Sequence, residues 1–188
     1  MKHQPFDPRT VPGETGTDYP PPYDQAVAGR ERVAVGDLFG LTQFGANATR
    51  LRPGAASAQR HWHACEDEFI VILEGEATLK TDEGETVLKT GMMAGFPAGD
   101  QNGHQLINTG KNDLYYIEIG YRSPVDRVEY PDADMLFVRD ADGEHMLRKT
   151  GPRLRRNSDE QIRSHRYRRG GTYPDGWFSG QPLCGTGT

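Results

Sequence analysis

Short strand-like segments separated by turn residues are the feature that most limits what this chain can fold into. Residues 69–73 form an unbroken run of apolar side chains, mostly β-branched or aromatic, which is typical of a strand buried on both faces. Residues 77–80 and 86–89 flank a turn sequence at 82–85, and this arrangement predicts a hairpin. No sustained helical periodicity occurs between residues 33 and 150. Short strands at such regular intervals predict an all-β sandwich or barrel.

Glycine and proline supply the turns. The chain contains 23 glycines and 13 prolines among 188 residues, about 19% in total against roughly 12% in average proteins. An excess of this size shortens helices and favours strands joined by turns. Further strand pairs are expected between 106–107 and 114–121, and between 136–138 and 145–147.

The chain divides into three predicted regions. Prolines recur through residues 1–32, including three in succession at 20–22, and predict an extended N-terminal arm, with a disordered leader as the alternative. Residues 33–150 carry the strand pattern and are expected to form one barrel with an appended hairpin. Residues 151–188 lose that pattern, and we expect a basic, irregular C-terminal extension.

Charge is unevenly distributed along the chain, whose formal net charge is -5. Residues 148–188 carry nine basic and three acidic side chains, which leaves 13 basic and 24 acidic side chains for residues 1–147. An acidic body argues against a nucleic-acid partner, because phosphate binding needs clustered lysine and arginine. Binding of an anionic partner by the basic extension stays a separate hypothesis.

Neither a membrane span nor export is expected. No apolar run approaches the roughly 20 residues of a membrane helix, and the first residues lack the apolar core of a secretory signal. The two cysteines, Cys65 and Cys184, are fewer than small disulfide-dependent domains carry. We therefore expect a reduced, cytoplasmic setting. A disulfide between the two cysteines is the alternative that the sequence leaves undecided.

The densest chemistry in the sequence lies in the eight residues from His61 to Glu68. His61 and His63 are two positions apart, so on a strand their imidazoles point to the same face. A carboxylate follows within a few residues, from Glu66, Asp67 or Glu68. Nitrogen and oxygen donors together suit one divalent transition metal, such as Fe, Mn, Ni, Co or Zn. This segment is therefore predicted to supply three ligands of a metal site.

A fourth ligand would have to come from another part of the sheet. His104 is the best candidate, because it follows a glycine- and proline-marked stretch within the strand region. The other histidines fall in the predicted arm, a hairpin and the basic extension: His3, His145 and His165.

Two segments of this region resemble the signature motifs of the cupin superfamily. The first motif is matched, in order, by Gly54, His61, His63, Glu68 and Gly75. The second motif is matched, in order, by Gly91, Pro97, Gly99, His104 and Asn108. Each motif alone would be moderately specific, whereas the pair, which spans residues 54–108, is specific.

The resemblance implies both a fold and a site. Cupins are double-stranded β-helices, or jelly-roll barrels, so an all-β barrel with little helix is expected. The motifs imply that His61, His63, Glu68 and His104 surround one divalent transition metal, with Glu66 as the reserve carboxylate. They also imply a small-molecule ligand or substrate and pairing into a homodimer.

This sequence departs from the usual cupin pattern at two places. The gap between the first glycine and the histidine pair is six residues, where five is commoner. Four residues separate Gly99 from His104, where two are usual, so a strict count puts Asn102 in the histidine position. We prefer His104 because its spacing to Asn108 is the expected one.

Three further residues are candidates for catalysis. Gln59 shares the face of the paired histidines by alternation and could reach a metal-bound ligand, with a core amide as the alternative. Tyr116 and Glu118 share one face of the segment at 114–121, and the sequence leaves open whether that face enters the barrel. If it does, Glu118 is a candidate general base.

The function expected from these features is a metal-dependent cupin enzyme acting on a small polar metabolite, either a carboxylate, an enediol or a sugar-like compound. Dioxygenase, lyase or decarboxylase, and isomerase chemistry all fit such a site. The alternative is a non-catalytic sensor or binding module that uses the same pocket. No phosphate-binding glycine loop, serine nucleophile motif or dinucleotide fingerprint accompanies the cupin motifs.

Overall fold

The structure is a computed structural model that describes residues 4–150 of the chain. The predicted basic extension at 151–188 therefore lies outside the described residues. Among residues 4–150, no helix has the length and apolar character that a membrane span requires.

Strands dominate the described part of the chain. In chain order they are β1 (Glu14–Thr15), β2 (Arg30–Val33), β3 (Phe44–Leu51), β4 (Trp62–His63), β5 (Glu68–Glu74), β6 (Glu76–Thr81), β7 (Gly84–Lys89), β8 (Met93–Phe96), β9 (Gln105–Ile107), β10 (Leu114–Tyr121), β11 (Asp126–Glu129), β12 (Leu136–Asp140) and β13 (Gly143–Leu147). Within residues 4–150, helical structure is limited to α1 (Val35–Phe39) and two 3-10 turns, Pro8–Thr10 and Gln25–Val27. Helix α1 ends at Gly40, which takes a left-handed conformation that glycine adopts without strain.

The strands form three antiparallel sheets. A six-stranded sheet has the order β1-β2-β3-β10-β5-β8, a three-stranded sheet the order β7-β6-β9, and a four-stranded sheet the order β13-β12-β11-β4. Two isolated bridges, Ala56 to Ile107 and His61 to His104, connect the segment before β4 to the region of β9. The all-β, double-stranded β-helix predicted from the sequence is confirmed.

The predicted hairpins have mixed outcomes. Strands β6 and β7 pair around the turn at 82–85, and β12 pairs with β13, as expected. The expected pairing of 106–107 with 114–121 is wrong, because β9 pairs with β6, whereas β10 pairs with β3 and β5. The buried Asn108 explains the crossing, since its side-chain amide donates to the carbonyls of Leu51 and Asn112 and holds the chain as it passes to the other sheet.

The N-terminal arm packs onto the barrel. Strand β1 pairs with β2, which begins at Arg30 and so includes the end of the predicted arm. Tyr19 is buried and meets Tyr130 edge-to-face, with ring centroids 5.7 Å apart. The division of the chain into arm and barrel stays a prediction, although the arm shares a sheet with the barrel strands.

Two apolar clusters flank the interior. One lies between the six- and three-stranded sheets and includes Leu51, Ile72 and Leu114. The other joins the arm to the four-stranded sheet through Tyr19, Val128, Tyr130, Met135 and Met146. Residues of both clusters line one cavity of about 640 Å³, which therefore opens between them.

Candidate metal centre

Backbone pairing brings His61 and His104 together. The amide of each donates to the carbonyl of the other, at 3.1 Å from His61 and 2.8 Å from His104. This two-bond bridge sets the two imidazoles side by side, with ring centroids 4.7 Å apart. Residues 43 positions apart in the chain are thus held as direct cross-strand neighbours.

Glu68, at the start of β5, faces three imidazoles. Its Oε2 lies 2.8 Å from Nε2 of His104, and 3.6 Å from Nε2 of both His61 and His63. We call these four side chains the His/Glu cluster. The structure brings together all four residues that the cupin motifs nominated as metal ligands.

Hydrogen-bond partners at Nδ1, on the side away from Glu68, orient the rings of His61 and His63. Nδ1 of His61 lies 2.8 Å from the carbonyl oxygen of Gln59, and Nδ1 of His63 lies 2.6 Å from Oδ2 of Asp126. A carbonyl and a carboxylate only accept hydrogen bonds, so Nδ1 is the protonated nitrogen in both neutral rings. The Nε2 lone pairs of His61 and His63 consequently face Glu68, which is the arrangement found around metal-bound histidines.

Asp126 is a candidate site residue that sequence reasoning missed. It is 1% exposed, and its other oxygen accepts a hydrogen bond from the amide of Cys65. Nothing in the local sequence marks this aspartate. Its position follows from the pairing of β11 with β4, which sets Val128 opposite His63.

The cluster fits a divalent transition metal. Metal–ligand bonds of about 2.0–2.2 Å put neighbouring ligand atoms about 3.0–3.5 Å apart, and Oε2 of Glu68 lies 2.8 to 3.6 Å from the three Nε2 atoms. Ligand atoms of His61, Glu68 and His104 all lie within 4.8 Å of one another, whereas His63 belongs to a second such group with Glu66 and Asp126. Three nitrogens and one carboxylate oxygen are also a donor set that such ions accept. His61, His63, Glu68 and His104 could therefore hold one ion, and the ion itself stays unidentified.

The charges of the His/Glu cluster also favour a metal cation. Burial alone would raise the pKa of the Glu68 carboxyl, but contacts with His104 and His61 outweigh it and hold the pKa well below its usual value. Burial lowers the pKa of the His104 imidazole despite the opposing effect of Glu68. For His63, burial opposes the charged form, yet the hydrogen bond to Asp126 and the nearby negative charges of Glu68 and Glu66 together outweigh it and raise the pKa. An ionised carboxylate beside imidazoles attracts a cation.

The alternative ligands are engaged elsewhere. Oε1 of Glu66, the reserve carboxylate, accepts from Arg139 at 2.6 Å and from the amide of Ser123 at 2.9 Å, while its Oε2 lies 3.8 Å from Nδ1 of His63, the nitrogen that bonds to Asp126. Asn102, the alternative to His104, accepts from the amide of Asp82 at 2.8 Å. The two extra residues before His104 therefore lie in an irregular loop, and the histidine itself reaches Glu68.

Gln59 does not reach the cluster with its side chain. Its amide nitrogen donates to the carbonyl of Tyr23 at 2.7 Å and so fastens the N-terminal arm. Gln59 became a candidate through strand alternation, which does not apply at this position because β4 begins only at Trp62 and the preceding residues are not regular strand. The contribution of Gln59 to the cluster is its backbone carbonyl, which bonds to His61.

Tyr116 and Glu118 do face the barrel interior. The Tyr116 hydroxyl donates to Oε2 of Glu118 at 3.1 Å, and Asn47 donates to Oε1 at 3.0 Å. Across the β5–β10 pairing, Glu118 lies opposite Ile70, one inward position along from Glu68. Diagonal neighbours of this kind are about 7–8 Å apart between their Cβ atoms, so Glu118 and the cluster lie near each other on the wall of one cavity.

One cavity joins these groups. The space of about 640 Å³ is lined by all four cluster residues and by Tyr116 and Glu118. Apolar walls come from Ile70, Leu106 and Val128. A smaller cavity of about 310 Å³ reaches His63, Glu68 and His104 from the side of the 99–103 turn.

Comparison with known proteins identifies the family. A family model described as a cupin domain matches residues 48–120. The crystal structure of a sugar phosphate isomerase of the cupin superfamily from Silicibacter pomeroyi is 39% identical, with a TM-score of 0.76 over 80% of this chain and 96% of that chain. This chain belongs to the cupin superfamily.

Two further cupin structures extend the comparison. A protein named as a candidate sugar phosphate isomerase, from Acidithiobacillus ferrooxidans, is 27% identical over 66% of this chain and 80% of its own, with a TM-score of 0.61. A protein named as a predicted oxalate decarboxylase, from Thermotoga maritima, is 18% identical over 64% of this cupin and 100% of its own chain, with a TM-score of 0.50, and shows the fold alone. A comparison with curated protein sequences finds no match.

Proposed function

We propose that this cupin is a metal-dependent isomerase that interconverts the aldose and ketose forms of a small phosphorylated sugar. One observation carries the proposal: a single cavity contains both a cluster suited to a metal and a separate, oriented carboxylate, Glu118. Similarity to two proteins named as sugar phosphate isomerases supports the choice of reaction.

In this proposal His61, His63, Glu68 and His104 hold one divalent transition metal. When bound, such an ion acts as a Lewis acid that polarises the sugar carbonyl and makes the neighbouring C–H bond more acidic. Asp126 keeps His63 in the tautomer that presents Nε2 to the ion.

Glu118 is the proposed general base. It takes the proton from the carbon next to the carbonyl, the C–H electron pair becomes the carbon–carbon double bond of an enediol, and the carbonyl π electrons move to the oxygen, which takes a proton from water. Glu118 then returns a proton to the former carbonyl carbon, while the neighbouring hydroxyl gives its own proton to water and becomes the new carbonyl. One carbon is oxidised as the other is reduced, so the reaction needs no external oxidant.

The neighbours of Glu118 suit this task. Hydrogen bonds from Tyr116 and Asn47 engage one carboxylate oxygen each and fix the plane of the group. Burial raises the pKa of the Tyr116 hydroxyl well above its usual value, so at neutral pH it stays a hydrogen-bond donor. The carboxylate is therefore oriented while it keeps lone pairs for the substrate.

Solvent deuterium exchange tests the proposal. Full-length protein loaded in turn with each candidate metal would be incubated in D₂O with a panel of sugar phosphates, and the products followed by NMR. We expect interconversion of one aldose–ketose pair with deuterium at the carbon next to the carbonyl. Binding without turnover across the panel would instead support a sensor, whereas oxygen uptake or carbon dioxide release with a keto acid or catechol would support the other enzyme classes.

A further inference from the structure

Two arginines line the cavity beyond Glu118. Arg30 and Arg32 are two positions apart on β2, so both side chains point to the same face of the sheet. Both contribute to the wall of the 640 Å³ cavity that contains the His/Glu cluster. The sheet register places Arg32 two strands away from Tyr116, because Arg32 pairs with Thr49 on β3 and Thr49 pairs with Tyr116 on β10.

Arg30 is held in place by backbone carbonyls. Its Nη1 donates to the carbonyl of Ser57 at 2.5 Å and its Nη2 to the carbonyl of Gly16 at 3.3 Å. Within residues 4–150, no carboxylate forms an ion pair with it, so no carboxylate neutralises its charge at the cavity wall. Burial and the charge of Glu118 raise the pKa of Tyr116, and the positive charge of Arg30 opposes them, which indicates that Arg30 lies near that hydroxyl.

Arg32 is only weakly paired. Its Nη1 is 3.8 Å from Oε1 of Glu118, an oxygen that already accepts from Asn47 at 3.0 Å. Glu14 and Asp18 lie on the same wall, but both are exposed and their charges are screened by solvent. Among the described residues, Arg30 has no carboxylate within ion-pair distance, and Arg32 has only Glu118, at 3.8 Å, although Glu14 is its cross-strand neighbour. Each guanidinium group has five N–H donors, so both arginines keep donors that could engage an anion.

We propose that Arg30 and Arg32 form an anion subsite that binds the phosphate of the substrate while its carbonyl end lies at the His/Glu cluster. This assignment rests on the proposed isomerase function and adds to it the basis of selection for phosphorylated sugars. Guanidinium groups suit phosphate because their parallel donors match two of its oxygens at once. The subsite is completed by the N-terminal arm, since Gly16 holds Arg30 in position.

Titration calorimetry with inorganic phosphate tests the subsite without any turnover. Full-length protein would first be stripped of metal with a chelator, so that phosphate cannot bind to an ion. We expect Arg30→Gln to weaken phosphate binding by about tenfold or more, and Arg32→Gln by about threefold or more. Arg52→Gln, which changes an exposed arginine outside the cavity, should bind phosphate as the wild type does.

Arg30→Lys distinguishes loss of an anion contact from a purely structural effect of the Arg30→Gln substitution. Lysine keeps the charge but loses the forked hydrogen bonds, so it should restore part of the phosphate affinity lost in Arg30→Gln. Unchanged binding in both glutamine variants, equal loss in Arg30→Lys and Arg30→Gln, or no phosphate binding by the wild type would each overturn the subsite.

The two proposals can fail separately. Arginine-dependent phosphate binding in a protein that isomerises no sugar phosphate would keep the anion subsite and refute the isomerase. Isomerase activity that is equal for phosphorylated sugars and their unphosphorylated parents, tested as ribose 5-phosphate against ribose and glucose 6-phosphate against glucose, would keep the isomerase and refute the subsite.

Discussion

The two ends of the cavity are built in different ways. At the cluster end, barrel strands and an isolated bridge hold the imidazoles, and a carbonyl and the buried Asp126 fix the rings of His61 and His63 from behind. At the other end, Arg30 and the cavity wall depend on the N-terminal arm through Gly16 and Tyr19. If both proposals hold, metal binding depends on the barrel, whereas selection of the substrate depends on the arm.

The largest expected effect is loss of the metal on substitution at the cluster end. His104→Ala and His61→Ala should each purify without metal, because each removes a nitrogen donor that faces Glu68. Elemental analysis of protein prepared without added metal measures the content. Asn102→Ala is the matched control and should keep the ion, since its side chain bonds to the amide of Asp82. Retention of metal by His104→Ala would reject the alignment of the second cupin motif.

Glu118→Gln should separate catalysis from metal binding. The amide cannot accept a proton, so kcat for the isomerisation should fall by about 10²- to 10⁴-fold. Metal content should stay at the wild-type level, because Glu118 lies one inward position away from Glu68. Steady-state kinetics and elemental analysis measure the two effects, with Glu85→Gln on β7 as the control. A variant that loses metal together with activity would show that Glu118 takes part in metal binding, which contradicts its proposed separate role as general base.

Asp126→Asn should weaken the cluster without removing a ligand. The amide is a poorer acceptor for the Nδ1 proton of His63, and changes at such supporting residues typically cost about 10- to 100-fold in metal affinity. Competition with a fluorescent chelator measures the dissociation constant. Asp142→Asn, in an exposed turn, should leave it unchanged. An affinity equal to that of the wild type would mean that Asp126 serves packing alone.

A smaller effect is expected at the outer support of the cluster end. Arg60, which precedes His61, donates to both oxygens of Asp132 at 2.7 and 2.8 Å, and this contact lowers the pKa of the Asp132 carboxyl. A lowered pKa stabilises the fold above the usual aspartate value of about 3.9, and the contribution is lost as the pH falls through the folded-state pKa.

Arg60→Gln should therefore lower the free energy of unfolding by about 1 kcal/mol at pH 7, given that Asp132 is half exposed. Urea denaturation at a series of pH values measures the difference, which should shrink towards zero as Asp132 becomes protonated. A difference that stays constant from pH 7 to pH 3 would show that Arg60 acts through packing.

Local patterns predicted most of the fold. Strand runs and turn residues identified β5, β6 and β7, and the fold class followed from their spacing. Pairing across long distances was harder, because nothing near 106–107 in the sequence shows that Asn108 sends the chain to the other sheet. A short helix such as α1, five residues long, is also too brief to produce a visible period.

The candidate site divides in the same way. The cupin spacing nominated four side chains that the structure brings together, and their metal binding stays a prediction. Asp126 could not be found, since its importance depends on the pairing of β11 with β4. Alternation placed Tyr116 and Glu118 on one face correctly but misdirected Gln59, because alternation holds only inside a regular strand.

The bridge between His61 and His104 has a thermodynamic consequence. An ion that binds only the folded protein stabilises it by mass action, and the gain is concentrated where the ligands are attached. Two of these ligands lie on segments that meet through two isolated bridges, at the junction between the three- and four-stranded sheets. Removal of the ion would therefore weaken this junction more than either apolar cluster, and the amides of His61 and His104, which donate across the bridge, would gain most in hydrogen-exchange rate.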